Sequence, residues 1–280
     1  MSNLNFELKL ITGERFAQDL RNLFDQALPA YQQAREASSV LGGLGVSIST
    51  PDFPKMASEV IQGFLKNVES ELTKQYSEGT HARIDLQDDF MWTSRRIREV
   101  TDDATDYALA VELILQKFPF EECAKHARLQ ASSLEDVGLQ KAADSLAQAL
   151  HLIQYNWGHQ NPLIRSAGSR FICKYTFDSF FIGYNYAWQD ESGINAIASD
   201  FRVMEQEMGD LGITAALQAC AKQLRGERHP SRTKVVAGGP VECIAFKNHM
   251  DLRFSQEATD MLLAFLKLHS SRTIVDVCEV

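Results

Sequence analysis

The chain has 280 residues, a formal net charge of −9 and 23% charged residues. This length allows one large domain or two ordinary ones, either of which can bury a substantial core. The acidic balance repels a nucleic-acid backbone on average, so any nucleic-acid contact would have to depend on a local basic patch.

The cysteines and the N-terminal residues indicate the cellular compartment of the protein. Five cysteines without CxxC spacing predict reduced thiols, as in a cytosol. The first residues carry charges where a signal peptide needs an apolar run, and no window reaches the roughly 18 apolar residues that a membrane helix requires. The sequence therefore predicts a cytoplasmic protein with no membrane contact.

The N-terminal part predicts a short strand and two long helices. Residues 5–10 alternate polar and apolar at a period of two, which is typical of a half-buried strand. Apolar residues recur at helical spacing over residues 13–37, where we expect Pro29 to kink or split the helix, and again over residues 55–76. The glycines and prolines of residues 38–54 predict a mobile loop between these helices.

A mixed run of aspartates and arginines lies between residues 85 and 106. Its basic group is Arg95, Arg96 and Arg98. Such a mixture is typical of a solvated helix face, and the alternative is a partner-binding surface. The aspartates at 102, 103 and 106 fit the first turn of a helix, where carboxylates interact favourably with the helix dipole. Capping therefore explains these three carboxylates without catalysis or metal binding.

Cys123 and His126 are one helical turn apart, which is metal-ligand spacing. His151 and His159 could complete a set of four ligands, but the pattern matches no recognised zinc motif. We predict a satisfied thiol and an ordinary histidine at this place. The sequence as a whole predicts no metal site, no cofactor and no catalytic constellation.

The aromatic stretch, residues 171–188, contains eight of the chain's 26 aromatic residues. Aromatic side chains bury much apolar area, so we predict that this stretch is a packing hub. Its first half fits the period of a strand, and for its second half we predict a helix. A base-stacking platform would need several cations, and only Lys174 is present. Asp178 would be a proton-transfer candidate if it were buried without a partner, although an exposed aspartate is the preferred interpretation.

The C-terminal part combines helices with hairpins. Residues 194–208 and 213–224 have helical periodicity. Alternating runs between residues 234 and 254 then predict two successive hairpins. A helix at residues 256–269 could cover the resulting sheet, and residues 273–277 could add a last strand.

These elements together predict an α+β fold that is predominantly α-helical. Residues 1–226 would form a helical body packed around a central aromatic helix. Residues 227–280 would form a small antiparallel β-hairpin sheet with its covering helix. We expect the two parts to pack as one domain.

The run AFKNHMDLRF, residues 245–254, is followed by a helix. It resembles the end of an uncharacterised bacterial family, domain of unknown function 4942, which shows Phe-Lys-Asn-Gly-Asn and then a strand of the form His-Leu-x-Phe. The matching positions are Phe246, Lys247, Asn248, Leu252 and Phe254. At residues 249–250, His-Met stands in place of the family's Gly-Asn. The family occurs on phages, plasmids and integrated elements, so the resemblance implies a mobile-element context and leaves the activity unknown.

Three functional hypotheses remain open. The first is a non-enzymatic binding protein of phage or mobile-element origin, with a protein partner, that acts on a host macromolecule such as a defence or replication component. The second is a nucleic-acid-binding accessory protein that uses the C-terminal hairpins, and the third is an enzyme whose site is not recognisable from sequence. The candidate contact residues are Arg95, Arg96, Arg98, Lys234, Lys247, Asn248, His249 and Arg253.

Overall fold

The structure is a computed structural model. It describes residues 7–46, 51–153, 164–167, 170–176, 179–182, 185–188, 191–224, 228–229, 232–246 and 249–274. The helices of this part are α1 (Gly13–Gly43), α2 (Phe53–Tyr76), α3 (Gln87–Phe90), α4 (Ser94–Val100), α5 (Tyr107–Lys117), α6 (Phe120–Ser132), α7 (Leu134–Ala149), α8 (Glu191–Met208), α9 (Ile213–Leu224) and α10 (Gln256–His269). The strands are β1 (Ile164–Ala167), β2 (Arg170–Thr176), β3 (Ser179–Ile182), β4 (Asn185–Trp188), β5 (Arg228–His229), β6 (Thr233–Val236), β7 (Val241–Ala245) and β8 (His249–Phe254).

The chain divides into two compact units. Unit 1 comprises residues 1–78 and 82–135, and unit 2 comprises residues 79–81 and 136–280. The boundary predicted between residues 226 and 227 lies inside unit 2. None of the described helices is both long and apolar enough to cross a membrane.

Unit 1 is built around the buried faces of its helices. Phe16, Leu20 and Phe24 lie on one face of α1 and are fully buried. The Thr12 hydroxyl caps this helix by accepting a hydrogen bond from the Arg15 N–H at 3.3 Å. The strand predicted at residues 5–10 is wrong over residues 8–10, which form a 3₁₀ helix; residues 5 and 6 lie outside the described part.

Helix α1 is longer and more continuous than predicted. Pro29 does not split it, because this proline lies on the exposed side, where water can bind the carbonyl group left without an N–H donor. Residues 38–43 and 53–54 are helical, so the predicted loop 38–54 is wrong over these residues, and its residues 47–50 lie outside the described part. The helix ends at a glycine cap, where Gly45 has a φ of +77° and the Val46 N–H donates to the Leu41 carbonyl at 3.0 Å.

Unit 2 contains α7 from residue 136 onward, helices α8 to α10 and two antiparallel sheets. The larger sheet has the strand order β1-β2-β8-β7-β6, and the smaller one has the order β3-β4-β5. The predicted pair of hairpins is confirmed, with Gly238 and Gly239 at φ values of +78° and +72° between β6 and β7. Helix α10 contacts β2 and β8, as predicted for a covering helix, and its Phe265 belongs to the same core as Phe254.

The fold class predicted from the sequence, α+β and predominantly helical with an antiparallel sheet and a covering helix, is confirmed. The helix predicted for the second half of the aromatic stretch is wrong, because residues 179–182 and 185–188 are strands β3 and β4. Aromatic residues favour strands once a partner strand is available, and here β3 and β4 pair as a hairpin.

Of the aromatic stretch, Phe171, Ile172 and Cys173 are buried, and Phe171 and Cys173 belong to the core of unit 2. Its other side chains, among them Asp178, lie outside what the structure describes, so the role of a packing hub stays a prediction for them. Ile274 forms one bridge with Ile153, and the rest of the predicted last strand, residues 275–277, also lies outside the described part.

Candidate functional site

The last turns of α1 and the residues that follow it form an exposed end of unit 1. We call residues 32–46 the α1 end. Among its fifteen residues only Ser38 is buried and only Leu41 is half-buried. Three aliphatic side chains are largely exposed: Val40 at 66%, Leu44 at 74% and Val46 at 46%. Val40 and Leu44 are four residues apart, so they lie on the same side of the helix.

An aromatic cluster fixes the base of the α1 end to the rest of unit 1. The Tyr31 ring lies edge-on to Phe53 and Tyr107, with centroid separations of 5.9 and 5.3 Å. Phe53 stacks on Tyr107 at 5.1 Å. The Tyr31 hydroxyl donates to the Pro51 carbonyl at 3.2 Å, and burial raises the pKa of Tyr31. These contacts hold α1 firmly up to the point where the exposed end begins.

The guanidinium of Arg35 lies over the Tyr107 ring, 5.1 Å from its centroid. Beyond Glu36 the α1 end carries no charge, because the ten residues from 37 to 46 are Ala-Ser-Ser-Val-Leu-Gly-Gly-Leu-Gly-Val. Uncharged surface with exposed aliphatic side chains is unusual in a chain with 23% charged residues. The arrangement can bind an apolar surface, and it offers no group for acid–base chemistry.

The predicted arginine group lies on α4, where each arginine has a partner within unit 1. The Arg95 Nε atom is 3.2 Å from a carboxylate oxygen of Glu99. The Arg96 guanidinium lies 4.6 Å from the centroid of the Trp92 ring. An Arg98 nitrogen is 2.7 Å from a carboxylate oxygen of Asp52. These arginines are held by their own neighbours, as expected of a solvated helix face.

The carboxylate of Asp106 accepts a hydrogen bond from the Leu109 N–H at 2.8 Å and caps α5. The capping role predicted for this aspartate is confirmed. Asp102 and Asp103 are exposed in the turn that precedes it, so the position predicted for them in the first turn of a helix is wrong.

The predicted contact residues of the hairpins come together on one face of the larger sheet, where they alternate with acidic residues. The Lys234 ammonium group is 3.1 Å from the Glu242 carboxylate. Asp251 lies between His249, at 3.6 Å, and Arg253, at 3.7 Å. The His249 ring also stacks on Phe246, with centroids 4.6 Å apart. Lys247 and Asn248 lie outside the described residues.

The four cysteines in the described part of the chain are buried. Burial raises the pKa of Cys123 to about 12, and it also raises the pKa of Cys173. A neutral, buried thiol is a weak nucleophile and a weak ligand. In the part of the chain that the structure describes, no three His, Cys, Asp or Glu residues lie close enough together to hold a metal ion. His159 is not in that part.

Sequence reasoning missed the α1 end as a surface because its glycines suggested a loop. Two signals were available: the i, i+4 spacing of Val40 and Leu44, and the absence of charge over residues 37–46. The cluster of Tyr31, Phe53 and Tyr107 could not be found in the same way, because it joins residues from three helices.

Comparison of the chain with protein-family models, with curated proteins and with solved structures finds no match. The resemblance of residues 245–254 to domain of unknown function 4942 stays a prediction.

Proposed function

We propose that the protein is a non-enzymatic binding protein and that it contacts a second protein through the α1 end. The observation that carries the proposal is the exposure of Val40, Leu44 and Val46 within ten consecutive uncharged residues. Contiguous exposed apolar residues mark interaction sites, and the centres of protein interfaces are depleted of charge.

The shape of the α1 end indicates what the partner presents. A projecting helix with apolar residues one turn apart fits an apolar groove on another protein. At its base, Arg35 and Tyr107 supply the residue types that contribute most to protein interfaces. A nucleic-acid backbone is a poor partner for this surface, because residues 37–46 contain no cation to pair with phosphate.

The biological setting that we propose follows from the sequence resemblance. The protein is encoded by a phage or another mobile element, and the second protein is a host component of defence or replication. The resemblance of residues 245–254 to a family found on such elements supports this setting, and the exposed apolar end supports a protein partner.

The nucleic-acid alternative would use the sheet face that carries Lys234 and Arg253. Asp251 and Glu242 are within 4 Å of these cations and would repel phosphate at the same place. The charges of this face therefore favour a protein partner over nucleic acid.

Affinity capture from a bacterial lysate tests the proposal with matched variants. The double substitution Val40→Asp/Leu44→Asp places two charges on the α1 end and removes its apolar contacts. Leu129→Asp is the control, because Leu129 lies elsewhere in unit 1, on α6, and is also 68% exposed. We expect one protein to be captured by the wild type and by the control, and its recovery to fall by about tenfold or more with the double variant.

Three results would contradict the proposal. The captured protein could be retained equally by the double variant, or the wild type could enrich no protein over a mock column. The third is a wild-type homodimer in analytical ultracentrifugation that dissociates in the double variant, since the α1 end would then bind a second copy of this chain.

A further inference from the structure

We propose that a second site, a groove in unit 1 that is separate from the α1 end, binds the diphosphate group of a small molecule. The groove has a volume of about 360 Å³. It lies between α2 and the extended segment formed by residues 82–86. The residues that line it and matter for binding are Lys66, Glu69, Ser70, Thr73, Lys74 and Arg83.

The spacing of polar residues on α2 and in the segment at residues 82–86 places their side chains in the groove. On α2, Lys66, Ser70 and Lys74 are spaced by four residues and so form one polar stripe. In the extended segment, alternate residues from Ala82 onward are buried against the core of unit 1, which leaves Arg83 on the outer side. Three cations from two elements therefore face one concave space.

Hydrogen bonds fix the segment against α2. The Ile84 N–H donates to the Thr73 hydroxyl at 3.0 Å. The N–H groups of Leu86 and Gln87 donate to one oxygen of Glu69 at 2.6 and 2.9 Å. The Gln87 side-chain amide donates to the other oxygen of Glu69 at 2.7 Å. The one carboxylate that lines the groove is thus occupied by one N–H donor of the segment and two donors of Gln87, and it does not pair with the cations.

The three cations have no acidic partner among the described residues. Lys66, Lys74 and Arg83 are exposed, and no carboxylate of that part lies within 4.0 Å of them. Arg21, Arg98 and Arg128 of the same unit, by contrast, each pair with a carboxylate. In a chain with a net charge of −9, this groove is a local concentration of positive charge.

The donor set matches a diphosphate. Arg83 offers a planar fork of N–H donors that can bind two phosphate oxygens, and each lysine offers a compact positive charge. The Ser70 hydroxyl adds a neutral donor between Lys66 and Lys74. The volume lies near the lower end of the range for small-molecule sites, as expected for a ligand dominated by its charged group.

Calorimetric titration with inorganic pyrophosphate at constant ionic strength tests the site. We expect saturable binding to the wild type and a loss of affinity of about tenfold or more for Lys66→Gln/Lys74→Gln. The control is Lys55→Gln/Lys125→Gln, which changes the net charge equally at two exposed lysines of unit 1 that do not line the groove. This control should keep its affinity within about twofold, since only local charge matters.

A parallel titration with ADP distinguishes the source of the diphosphate. Equal affinities for ADP and pyrophosphate indicate that the diphosphate alone is recognised, and tighter binding of ADP indicates a nucleotide. The proposal is overturned if neither ligand saturates the wild type, if ADP binds but pyrophosphate does not displace it, or if both double variants lose affinity equally. Circular dichroism confirms that the variants are folded.

Discussion

On the sheet face of unit 2, basic side chains lie beside acidic ones. In unit 1, by contrast, three cations of the groove have no carboxylate partner among the described residues, and an uncharged helix end is exposed. Lys234 is balanced by Glu242, and Arg253 is balanced by Asp251. Clustered like charges and exposed apolar side chains both cost stability unless a ligand covers them. We propose from this difference that unit 1 carries the binding surfaces, whereas on the described sheet face of unit 2 these two cations are balanced by neighbouring carboxylates.

The buried acids of unit 2 support the same contrast. The Glu205 carboxylate accepts hydrogen bonds from the N–H groups of Leu211, Ile213 and Thr214 at 3.2, 2.6 and 3.1 Å, and so caps the start of α9. Glu205 serves folding, because it satisfies backbone donors that would otherwise be buried without a partner.

The largest effect that we predict concerns the aromatic core that carries both surfaces of unit 1. Phe64 is 2% exposed and lies edge-on to Phe16, at 5.5 Å, and to Phe118, at 6.5 Å. We expect Phe64→Ala to reduce the free energy of unfolding by about 3–5 kcal/mol, because it opens a cavity at the centre of the unit. Urea denaturation measures the loss, with Leu129→Ala as an exposed control. A loss below about 1 kcal/mol would show that this core does not support unit 1.

The next prediction, of a smaller loss of stability, concerns a carboxylate of unit 2 that accepts hydrogen bonds from residues of the same unit. Asp144 on α7 accepts hydrogen bonds from the Ser270 hydroxyl at 2.6 Å, the Ser271 N–H at 2.9 Å and the Ser271 hydroxyl at 2.7 Å. Burial raises the pKa of Asp144, but these hydrogen bonds outweigh burial, and the pKa is lowered overall. We expect Asp144→Asn to cost about 1 kcal/mol at pH 7, since the site is partly solvated.

The difference in stability between the wild type and Asp144→Asn should depend on pH in a defined direction. A carboxyl group whose pKa is lowered on folding stabilises the protein above its unfolded-state pKa, and this stabilisation is lost as the pH falls through the folded-state pKa. Wild type and Asp144→Asn should therefore converge in stability below about pH 4. A difference that persists unchanged at lower pH would mean that the ionised carboxylate is not what stabilises this contact.

The smallest effect concerns Asp200, which is 8% exposed. Burial raises its pKa, although the Ser145 hydroxyl donates to it at 2.6 Å and opposes this shift. A raised pKa means that ionisation costs stability as the pH rises through the folded-state pKa. We expect Asp200→Asn to be slightly more stable than the wild type at pH 7, with a smaller gain at pH 4, in urea denaturation at both pH values. A variant that is less stable at pH 7 would show that the ionised form is needed.

The sequence predicted elements whose periodicity is local. Helix α9 spans the predicted residues 213–224, and α2 begins two residues before the predicted 55–76. The hairpins of β6 to β8 were predictable because glycines and alternating residues mark them. The aromatic residues of β3 and β4 fit a helix equally well, and only pairing with another strand decides between the two structures.

The binding surfaces could not be predicted from the sequence, because they depend on contacts between residues that are far apart in the chain. Arg98 was predicted as a partner-binding residue, but Asp52, which pairs with it, is 46 residues away. The groove exists because the segment at residues 82–86 folds back on Glu69, which the spacing of Lys66 and Lys74 on α2 does not reveal. Val40 and Leu44 are likewise exposed because α1 continues beyond the aromatic cluster that contains Tyr31.

Site-specific photo-cross-linking tests the central claim, that the α1 end contacts a protein partner. The photoreactive residue p-benzoylphenylalanine would replace Leu44 in one variant and Leu129 in another, since both side chains are more than two-thirds exposed. After irradiation in a bacterial lysate, mass spectrometry identifies the attached proteins. We predict one dominant cross-linked protein at position 44 and none at position 129. Equal cross-linking at both positions, or none at position 44, would contradict the claim.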